Sequence, residues 1–274
     1  MSYLEEIDFT AEGFGELYDE LPLWSAPFGL LLLDRVPLKP GLTFLDVGAG
    51  TGFLSIELAE RCGSSAKVIA VDPWKAGMDR LRRRIAQRHL ENVVLLEQDA
   101  ATLELPDASV DVIVSNLGIN NFDDPAQVLR ICHRVARPGA TLLLTTNLVG
   151  HMAELYGVYR DVLTELGQSD RLAALDAHVN HRGTVESVSA LLQAGGFKVV
   201  DVVTDSFRMR FADGSSLLRH YFIRLGFVQG WKSVAAPGAA QETFDCLERK
   251  LNDLARECSE LALTVPVALF EGCK

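Results

Sequence analysis

Cysteine is scarce in this chain, and its spacing excludes two classes of stabilised fold. Five cysteines are scattered over 274 residues. There is no Cys-x-x-Cys pair and no cysteine–histidine group, so neither a disulfide framework nor a structural zinc site is expected. The pattern is typical of a protein in the reducing cytoplasm, and no metal is predicted for the functional site.

An excess of positive charge is also missing. The chain carries 26 Lys and Arg residues against 37 Asp and Glu residues, which gives a formal net charge of −11. Nucleic-acid binding draws on Lys and Arg to displace counterions, so a nucleic-acid partner is disfavoured. The one basic run, residues 80–88, contains apolar residues at helical spacing and is interpreted as the solvated face of a helix.

Long apolar runs and low-complexity stretches do not occur. No run approaches the ~20 apolar residues that a membrane-spanning helix needs, and the amino terminus has no charged-then-apolar signal pattern. The composition, with 48% hydrophobic and 23% charged residues, is ordinary for a globular protein. The sequence therefore predicts a cytoplasmic protein without a membrane partner, built as one elaborated domain or as a domain with a smaller cap.

What the sequence does contain is a regular alternation of two kinds of segment. Segments of helical period separate short apolar runs, which predicts parallel βαβ units and a doubly wound, Rossmann-like α/β fold. Asp124-Pro125 marks the start of one helix, and Pro138-Gly139 is predicted to end it. The predicted strands are Thr43–Val47, Lys67–Val71, Val93–Leu96, Val110–Val114, Thr141–Thr146, Lys198–Val203 and Ala262–Phe270.

The same patterns divide the chain into a core and helical additions. Residues 41–212 and 259–274 are predicted to form the core, with extra helices in 148–182. Residues 1–40 mix aromatics with prolines, which predicts short helices that serve as a lid. Residues 213–258 predict helices over the carboxyl edge of the sheet, where ligands bind in open α/β folds. Three roles stay open for this last segment: it could cap the site, thicken the core or form a contact in a homodimer.

The strongest local signal is a glycine-rich turn between the first strand and the following helix. Its glycines, at positions 48, 50 and 52, let the backbone turn sharply and approach a ligand. Ala49, which lies between them, is predicted to be a further cofactor contact. Free amides at the start of the helix favour a negative group. Asp46 is costly in a buried strand unless it is hydrogen-bonded, so it is predicted to organise the turn or to contact a ligand ammonium.

Carboxylates follow the next two strands. Asp72 stands twenty residues after Gly52, where it is predicted to accept hydrogen bonds from both hydroxyls of a ribose. The alternative to this ribose contact is a structural role, in which Asp72 caps the helix that starts after it. Asp99, followed by Ala100, is predicted to receive the exocyclic amine of adenine, and an ordinary turn residue is the alternative there.

Polar amides follow the fourth strand. Asn116 and Leu117 are predicted to contact the cofactor, and Asn120 and Asn121 to contact a substrate. Asparagine is also common in turns, because it tolerates left-handed backbone.

Together these residues resemble the class I S-adenosylmethionine-dependent methyltransferases, over about Thr43 to Asn147. Leu45–Gly52 is similar to the first motif of that family, and Val71-Asp72-Pro73 to the second. Gln98-Asp99-Ala100 is similar to the third, and Arg134–Ala140 resembles the turn before the fifth strand.

The resemblance implies a cofactor, a sheet and a set of contacts. The cofactor is S-adenosyl-L-methionine, with S-adenosyl-L-homocysteine as product, and the sheet has seven strands of which the last two form an antiparallel hairpin. Gly48 and Gly50 would approach the methionine end, Asp72 beside Pro73 the ribose, and Asp99 with Ala100 the adenine. Family members usually select acceptors with variable helices, so a small-molecule acceptor would be selected by the inserted segments.

Candidate residues for the acceptor come from outside these motifs. Methyl transfer from a sulfonium is an in-line displacement, in which orientation can contribute roughly 7–11 kcal/mol. A carboxylate acceptor needs no base, whereas a phenol, amine or carbon acid needs one. His151 is the first candidate base and His181 the second, each with a structural role as its alternative. Tyr18 and Trp24 are candidates to close the pocket, or are packing residues.

Two other functions stay open from the sequence. An NAD(P)-dependent oxidoreductase also has an acid about twenty residues after a glycine turn. The fingerprint of that class, however, requires a third glycine where this chain has Phe53 or Leu54. It also contains no residue that corresponds to Asp99. The second alternative is a binding module that keeps the S-adenosylmethionine pocket without catalysis.

Overall fold

A seven-stranded sheet organises the chain. The computed structural model describes residues 3–11, 13–19, 21 and 23–274. The strands are β1 (Thr43–Val47), β2 (Lys67–Val71), β3 (Val93–Leu96), β4 (Val110–Asn116), β5 (Ala136–Asn147), β6 (Lys198–Phe211) and β7 (Leu261–Cys273). Their order is β3-β2-β1-β4-β5-β7-β6, and β1 to β5 run parallel. The predicted doubly wound α/β fold with a mixed sheet is confirmed.

Helices follow most of the strands, and others lie before β1, between β5 and β6, and between β6 and β7. Three 3₁₀ turns, at Ala100–Thr102, Gly118–Asn121 and Ser169–Arg171, and a π-helical turn at Arg224–Val228 lie between them in the described chain. The α-helices are α1 (Phe14–Asp19), α2 (Ser25–Leu33), α3 (Phe53–Cys62), α4 (Lys75–Arg88), α5 (Pro125–Val135), α6 (Ala153–Glu165), α7 (Leu172–Asn180), α8 (Val185–Ala194), α9 (Gly214–Arg219), α10 (Tyr221–Ile223), α11 (Gln229–Lys232) and α12 (Ala240–Cys258).

One predicted boundary is wrong, and the sheet explains why. The helix α5 begins at Pro125 behind the capping carboxylate of Asp124, as predicted, but it ends at Val135. Pro138 and Gly139 lie inside β5, at a shift in the register between β4 and β5. A strand tolerates proline at such an irregularity, because no ladder hydrogen bond is lost there.

The chain divides into two compact units. The first, here called the sheet unit, comprises Phe9–Thr146, Thr184–Asp205 and Val267–Lys274. The second, the helical unit, comprises residues 3–8 with Asn147–Gly183 and Ser206–Pro266. Both β6 and β7 therefore contribute residues to each unit.

The core of the sheet unit lies between the central strands and the helices that follow them. Phe44 of β1 and Leu58 of α3 are fully buried, and they belong to one cluster with Leu32 of α2. Burial of such side chains contributes roughly 1.5–3 kcal/mol each. This packing holds β1, β2 and β4 against α2 and α3.

The helical unit has its own buried core. Trp231 and Phe244 are fully buried, as is Tyr159, whose hydroxyl donates to the carbonyl oxygen of Trp231 at 2.8 Å. The amide of Gln168 donates to the hydroxyl of Thr243 at 3.1 Å. Within the described residues, no helix of either unit is long and apolar enough to cross a membrane.

Gly52 combines left-handed backbone with a close neighbour, so a side chain there should cost stability. Its φ is +90°, and an added Cβ would lie 2.1 Å from Cδ1 of the buried Leu81. Gly52→Ala should therefore lower the free energy of unfolding by about 2–4 kcal/mol, from left-handed strain and overpacking together. Urea denaturation measures this loss.

Gly139→Ala is the matched control for that substitution. Gly139 has a φ of +79°, but nothing lies within 4 Å of an added Cβ. Only the backbone strain of about 1–2 kcal/mol should appear there. Equal losses in the two variants would show that contact with Leu81 does not restrict Gly52.

Candidate active site

A cleft of about 460 Å³ lies in the sheet unit at the carboxyl ends of its strands. This volume is within the usual range for small-molecule sites. The cleft includes the ends of β1 and β4, which are neighbours in the sheet. From β1 the chain continues to β2 and β3 on one side, and from β4 it continues to β5 on the other side. Such a switch point is where open α/β sheets bind ligands.

The structure brings most of the predicted site residues together in this cleft. Those that line it are Tyr18, Gly48, Gly50, Asp72, Pro73, Asp99, Ala100, Asn116, Leu117 and Asn121. Asp46, Ala49, Gly52, Trp24 and Asn120 were also predicted as site residues and are not among the lining side chains.

The glycine turn presents bare backbone to the cleft. Gly48 and Gly50 have φ values of +79° and +54°, which favour glycine. A Cβ on Gly48 would lie 3.1 Å from the Cα of Gly118, whereas one on Gly50 would meet nothing within 4 Å. The amides of Gly48 and Ala49 donate to the carbonyl oxygen of Val71 at 2.9 and 3.1 Å. These bonds hold the turn against the end of β2.

Asp72 connects the same turn to the start of α4. Its Oδ2 accepts from the amide of Gly50 at 2.8 Å, and its Oδ1 accepts from the amide of Trp74 at 2.8 Å. Burial raises the pKa of Asp72, and these two amide bonds oppose that rise. A carboxylate has about four acceptor positions, so two remain for a ligand's hydroxyl groups.

Asp99 follows β3 and Asn116 ends β4, and both line the cleft. Asp99 is exposed, and its Oδ1 accepts from the amide of Ala101 at 2.8 Å. Asn116 is engaged on both sides, since its Nδ2 donates to the carbonyl oxygen of Ser25 at 3.0 Å and its Oδ1 accepts from the hydroxyl of Thr145 at 2.7 Å. Asn116 therefore links the start of α2 to β4 and β5.

Asp46 lies behind the cleft. It is 1% exposed, and its Oδ2 accepts from the hydroxyl of Ser55 in α3 at 2.6 Å. Burial raises the pKa of Asp46 to about 7, although the bond from Ser55 lowers it. The bond joins β1 to α3, the two elements on either side of the glycine turn. Both predicted roles of Asp46, organising the turn and contacting a ligand ammonium, stay predictions.

The amino-terminal segment reaches the cleft through Tyr18. The ring of Tyr18 meets the ring of Trp74 edge-on, with centroids 5.2 Å apart. Trp24 instead packs on Phe28 at 5.5 Å. The hydroxyl of Thr146 donates to Oδ1 of Asn120 at 2.6 Å, so that side chain is engaged.

Two arginines of α4 anchor α1, which corrects the interpretation of residues 80–88 as a solvated face for those two alone. The other three arginines of the run have side chains that are between 40% and 54% exposed, as that interpretation expects. Arg80 and Arg84 both donate to Asp19, at 3.2 and 3.0 Å, and their side chains are only 25% and 16% exposed. Arg84 also donates to the carbonyl oxygen of Thr51 in the glycine turn at 2.9 Å. The sequence could not reveal these partners, because Asp19 lies some sixty residues earlier in the chain.

The structure adds lining residues that sequence reasoning missed. Some of them lie in or beside the predicted motifs, and that position in the sequence could have identified them. They are Val71, Trp74, Gly118, Phe122 and Asp123. Phe9 and Ser25 carry no such signal, since only the tertiary fold brings them to the cleft.

The two candidate bases belong to the helical unit. His151 is 1% exposed, and within the described residues neither of its ring nitrogens has a hydrogen-bond partner. Burial, followed by the positive charge of Arg182, lowers the pKa of His151 to about 3. The ring is therefore neutral near pH 7. His181 is exposed, and its Nδ1 donates to the carbonyl oxygen of His178.

Comparison with known proteins identifies the family. Residues 38–196 match the family described as "Methyltransferase domain", which is more than half of the chain. The chain belongs to this methyltransferase family. Membership of this family excludes the oxidoreductase function, which the glycine turn alone had left open. The cofactor is S-adenosylmethionine.

Relatives agree with this assignment. The ubiquinone/menaquinone biosynthesis C-methyltransferase UbiE of Idiomarina loihiensis is 28% identical over 182 residues, covering 62% of this chain and 71% of that protein. The UbiE proteins of Escherichia coli strains are 27% identical over the same length.

Solved structures share the fold of this methyltransferase. The YcgJ protein of Bacillus subtilis has a TM-score of 0.58 at 16% identity, covering 91% of this chain and 98% of that one. A SAM-dependent methyltransferase from Aquifex aeolicus has a TM-score of 0.52 at 22% identity, covering 72% and 93%. Phosphoethanolamine N-methyltransferase 2 of Haemonchus contortus, solved with S-adenosyl-L-methionine, has a TM-score of 0.53 at 18% identity, covering 89% and 51%.

Loss of the Asp72 carboxylate should weaken cofactor binding. We predict that Asp72→Ala raises the dissociation constant of S-adenosylhomocysteine at least about tenfold, since hydrogen bonds to a charged group contribute about 1.5–3 kcal/mol. Isothermal titration calorimetry measures the change. Asp111→Ala is the control, because Asp111 also accepts from a backbone amide, that of Thr43 at 2.8 Å, but does not line the cleft. Equal affinities of wild type and Asp72→Ala would remove Asp72 from the site.

The buried carboxyl of Asp46 should make stability depend on pH. Its folded pKa of about 7 exceeds the ordinary value near 3.9, so the folded state holds a proton that the unfolded state has released. Stability should therefore fall as pH rises toward 7. Relative to Asp46→Asn, the wild type should lose about 2–3 kcal/mol of unfolding free energy between pH 5 and pH 8. A difference that stays constant with pH would contradict this account.

Proposed function

We propose that this methyltransferase transfers the methyl group of S-adenosylmethionine to a small organic acceptor, with the cofactor held in the cleft of the sheet unit. The observation that carries the proposal is the Asp72 carboxylate, bonded to the amide of Gly50 and lining the same cleft as Asp99. Bare glycine backbone lies beside two carboxylates at a switch point of the sheet. These residue types fit a ligand with a polar amino-acid end, a ribose and a purine amine.

The predicted cofactor contacts that line the cleft each have a place in this proposal. Gly48 and Gly50 would face the methionine end with bare backbone. Asp72 would bind the ribose hydroxyls, and Asp99 with Ala100 would bind the adenine. Asn116, Leu117 and Pro73 would complete the walls.

The chain's own residues would act mainly by orientation. When bound, S-adenosylmethionine supplies an electrophilic methyl on a positively charged sulfur. The hydrogen bonds of Asp72 and Asn116 fix the walls of the cleft before any ligand binds. Tyr18 and Trp74 would exclude water at the rim. Alignment of this kind can contribute roughly 7–11 kcal/mol, which makes a strong base optional.

The small-molecule acceptor rests on two kinds of support. Relatives are named for ubiquinone and menaquinone biosynthesis, and a structural neighbour was solved with phosphomonomethylethanolamine. The net charge of −11 opposes a nucleic-acid acceptor. The cytoplasmic location and a homodimer through residues 213–258 stay predictions from the sequence.

The proposal is tested by following the methyl group. S-adenosylhomocysteine should raise the melting temperature, while NAD should not. With S-adenosylmethionine labelled in its methyl group, label should then appear in the small-molecule fraction of a cell extract. Label only in protein or nucleic acid would contradict the small-molecule acceptor. Stabilisation by S-adenosylhomocysteine without transfer to any fraction would favour a binding module.

His151 is our candidate for the base that an acidic acceptor needs. We predict that His151→Ala lowers kcat by less than the roughly 10²-fold or more that is typical for loss of a general base, because a pKa of about 3 makes the ring a weak base. The dissociation constant of S-adenosylhomocysteine should stay nearly unchanged. His181→Ala is the comparison, because that ring is exposed and already bonded. A large loss of cofactor affinity in His151→Ala would show that His151 has been assigned the wrong role.

A further inference from the structure

A phenylalanine ring lines the cleft beside the glycine turn. Phe122 directly follows the 3₁₀ turn at Gly118–Asn121, and its ring forms part of the wall of the cleft. A Cβ added to Gly48 would lie 3.7 Å from Cε1 of this ring, which is van der Waals distance. In the proposed function Gly48 faces the methionine end of the cofactor. The ring therefore lies at the part of the cleft where the sulfur would be held.

The backbone around the cleft is shaped to admit this ring. A Cβ added to Gly118 would lie 2.9 Å from Cζ of Phe122 and 2.8 Å from the carbonyl oxygen of Val47, closer than real Cβ atoms come. The hydroxyl of Ser115 donates to the same carbonyl oxygen at 2.7 Å. Glycine at position 118 thus lets the ring approach the end of β1. Because the distal edge of the ring faces the two glycines, its faces remain for contact with a ligand.

The charges that line the cleft favour a cation independently of the ring. Among the described residues of the lining there are three carboxylates, those of Asp72, Asp99 and Asp123, and no Lys, Arg or His. S-adenosylmethionine carries a net positive charge near neutral pH, whereas its product S-adenosylhomocysteine is neutral. No cationic side chain of the lining therefore competes with the cofactor for the aromatic ring.

An aromatic ring distinguishes a sulfonium from a thioether. The face of the ring carries negative potential, which attracts a cation within about 6 Å of the centroid, and the attraction grows as water is excluded. Phe122 is half-buried, so part of the water around it is already excluded. A neutral thioether gains only apolar packing from the same ring. The ring should therefore stabilise the bound cofactor more than the bound product.

We propose that the ring of Phe122 contacts the sulfonium group of S-adenosylmethionine and makes the cleft prefer the cofactor over S-adenosylhomocysteine. This inference rests on the proposed placement of the cofactor in the cleft. When transfer breaks the bond between sulfur and the methyl carbon, the electron pair stays on sulfur and the acceptor's electron pair forms the new bond. The charge on sulfur is then lost, and with it the attraction of the ring. Phe122 would thus hold the methyl donor and favour release of the product.

Calorimetric titration with matched ligands tests this contact. The probes are S-adenosylmethionine and its neutral carbon analogue, in which a C–H group replaces the sulfur and the methyl group is kept. The ratio of their dissociation constants measures the preference for charge at constant shape. Phe122→Leu should lower this preference at least about fivefold, while Phe122→Tyr should keep it within about twofold, because tyrosine retains the aromatic face. An unchanged preference in Phe122→Leu would overturn the proposal.

Phe9→Leu is the matched control. Phe9 also lines the cleft, but its carbonyl oxygen lies 3.5 Å from the indole nitrogen of Trp74, next to the predicted ribose contact of Asp72. Its replacement should change the dissociation constants of the two probes by the same factor. A loss of charge preference as large as that of Phe122→Leu would contradict a specific role for the ring of Phe122.

A measurement on the wild type does not depend on how the variants fold. With S-adenosylmethionine labelled by ¹³C in its methyl group, the ring current of Phe122 should move the bound methyl proton signal upfield of the free signal. Phe122→Leu should remove most of this shift, and its binding of S-adenosylhomocysteine reports that it is folded. A bound methyl signal without an upfield shift in the wild type would overturn the proposal.

The outcomes separate this inference from the proposed function. If Asp72→Ala weakens cofactor binding while Phe122→Leu leaves the charge preference unchanged, the placement of the cofactor stands and this inference fails. If the cofactor binds equally well to the wild type and to Asp72→Ala, the placement itself fails. If the preference depends on Phe122 but no labelled methyl reaches a small molecule, the contact stands and the proposed acceptor class fails.

Discussion

The site depends on the hydrogen bonds that the carboxylate of Asp72 accepts. It accepts hydrogen bonds from the amides of Gly50 and Trp74, so it holds the glycine turn and the start of α4 together. Burial works against its charge, and the two amides offset that cost. Because the turn is also bonded to Val71 of β2, the position of Asp72 follows directly from the parallel pairing of β1 with β2.

Much of this arrangement was accessible from the sequence, because it depends on local chemistry. The bounds of β1, β2 and β3 agree with the apolar runs, since strands buried on both faces need uninterrupted apolar residues. The glycine turn and its two following acids were accessible for the same reason. The spacing of short βαβ units places strand ends at one edge of the sheet, so residues after each strand must meet there.

What the sequence did not reveal depends on partners distant in the chain. Tyr18 and Trp24 carry the same compositional signal, yet only Tyr18 lines the cleft, because the rotation of a short helix is set by its packing. The anchoring of α1 by Arg80 and Arg84 likewise depends on Asp19. The predicted end of α5 at Pro138 was wrong, because proline commonly ends a helix but is also accommodated where the register between β4 and β5 shifts.

The most direct measurement compares ligands that differ only at the ribose. Binding of S-adenosylhomocysteine and of its 2′,3′-dideoxy analogue would be titrated into the wild type and into Asp72→Ala. The account predicts that the wild type prefers the ribose form at least about tenfold, and that this preference nearly disappears in the variant, because Asp72 would accept hydrogen bonds from both hydroxyls. An undiminished preference in Asp72→Ala would contradict the assignment of the cleft.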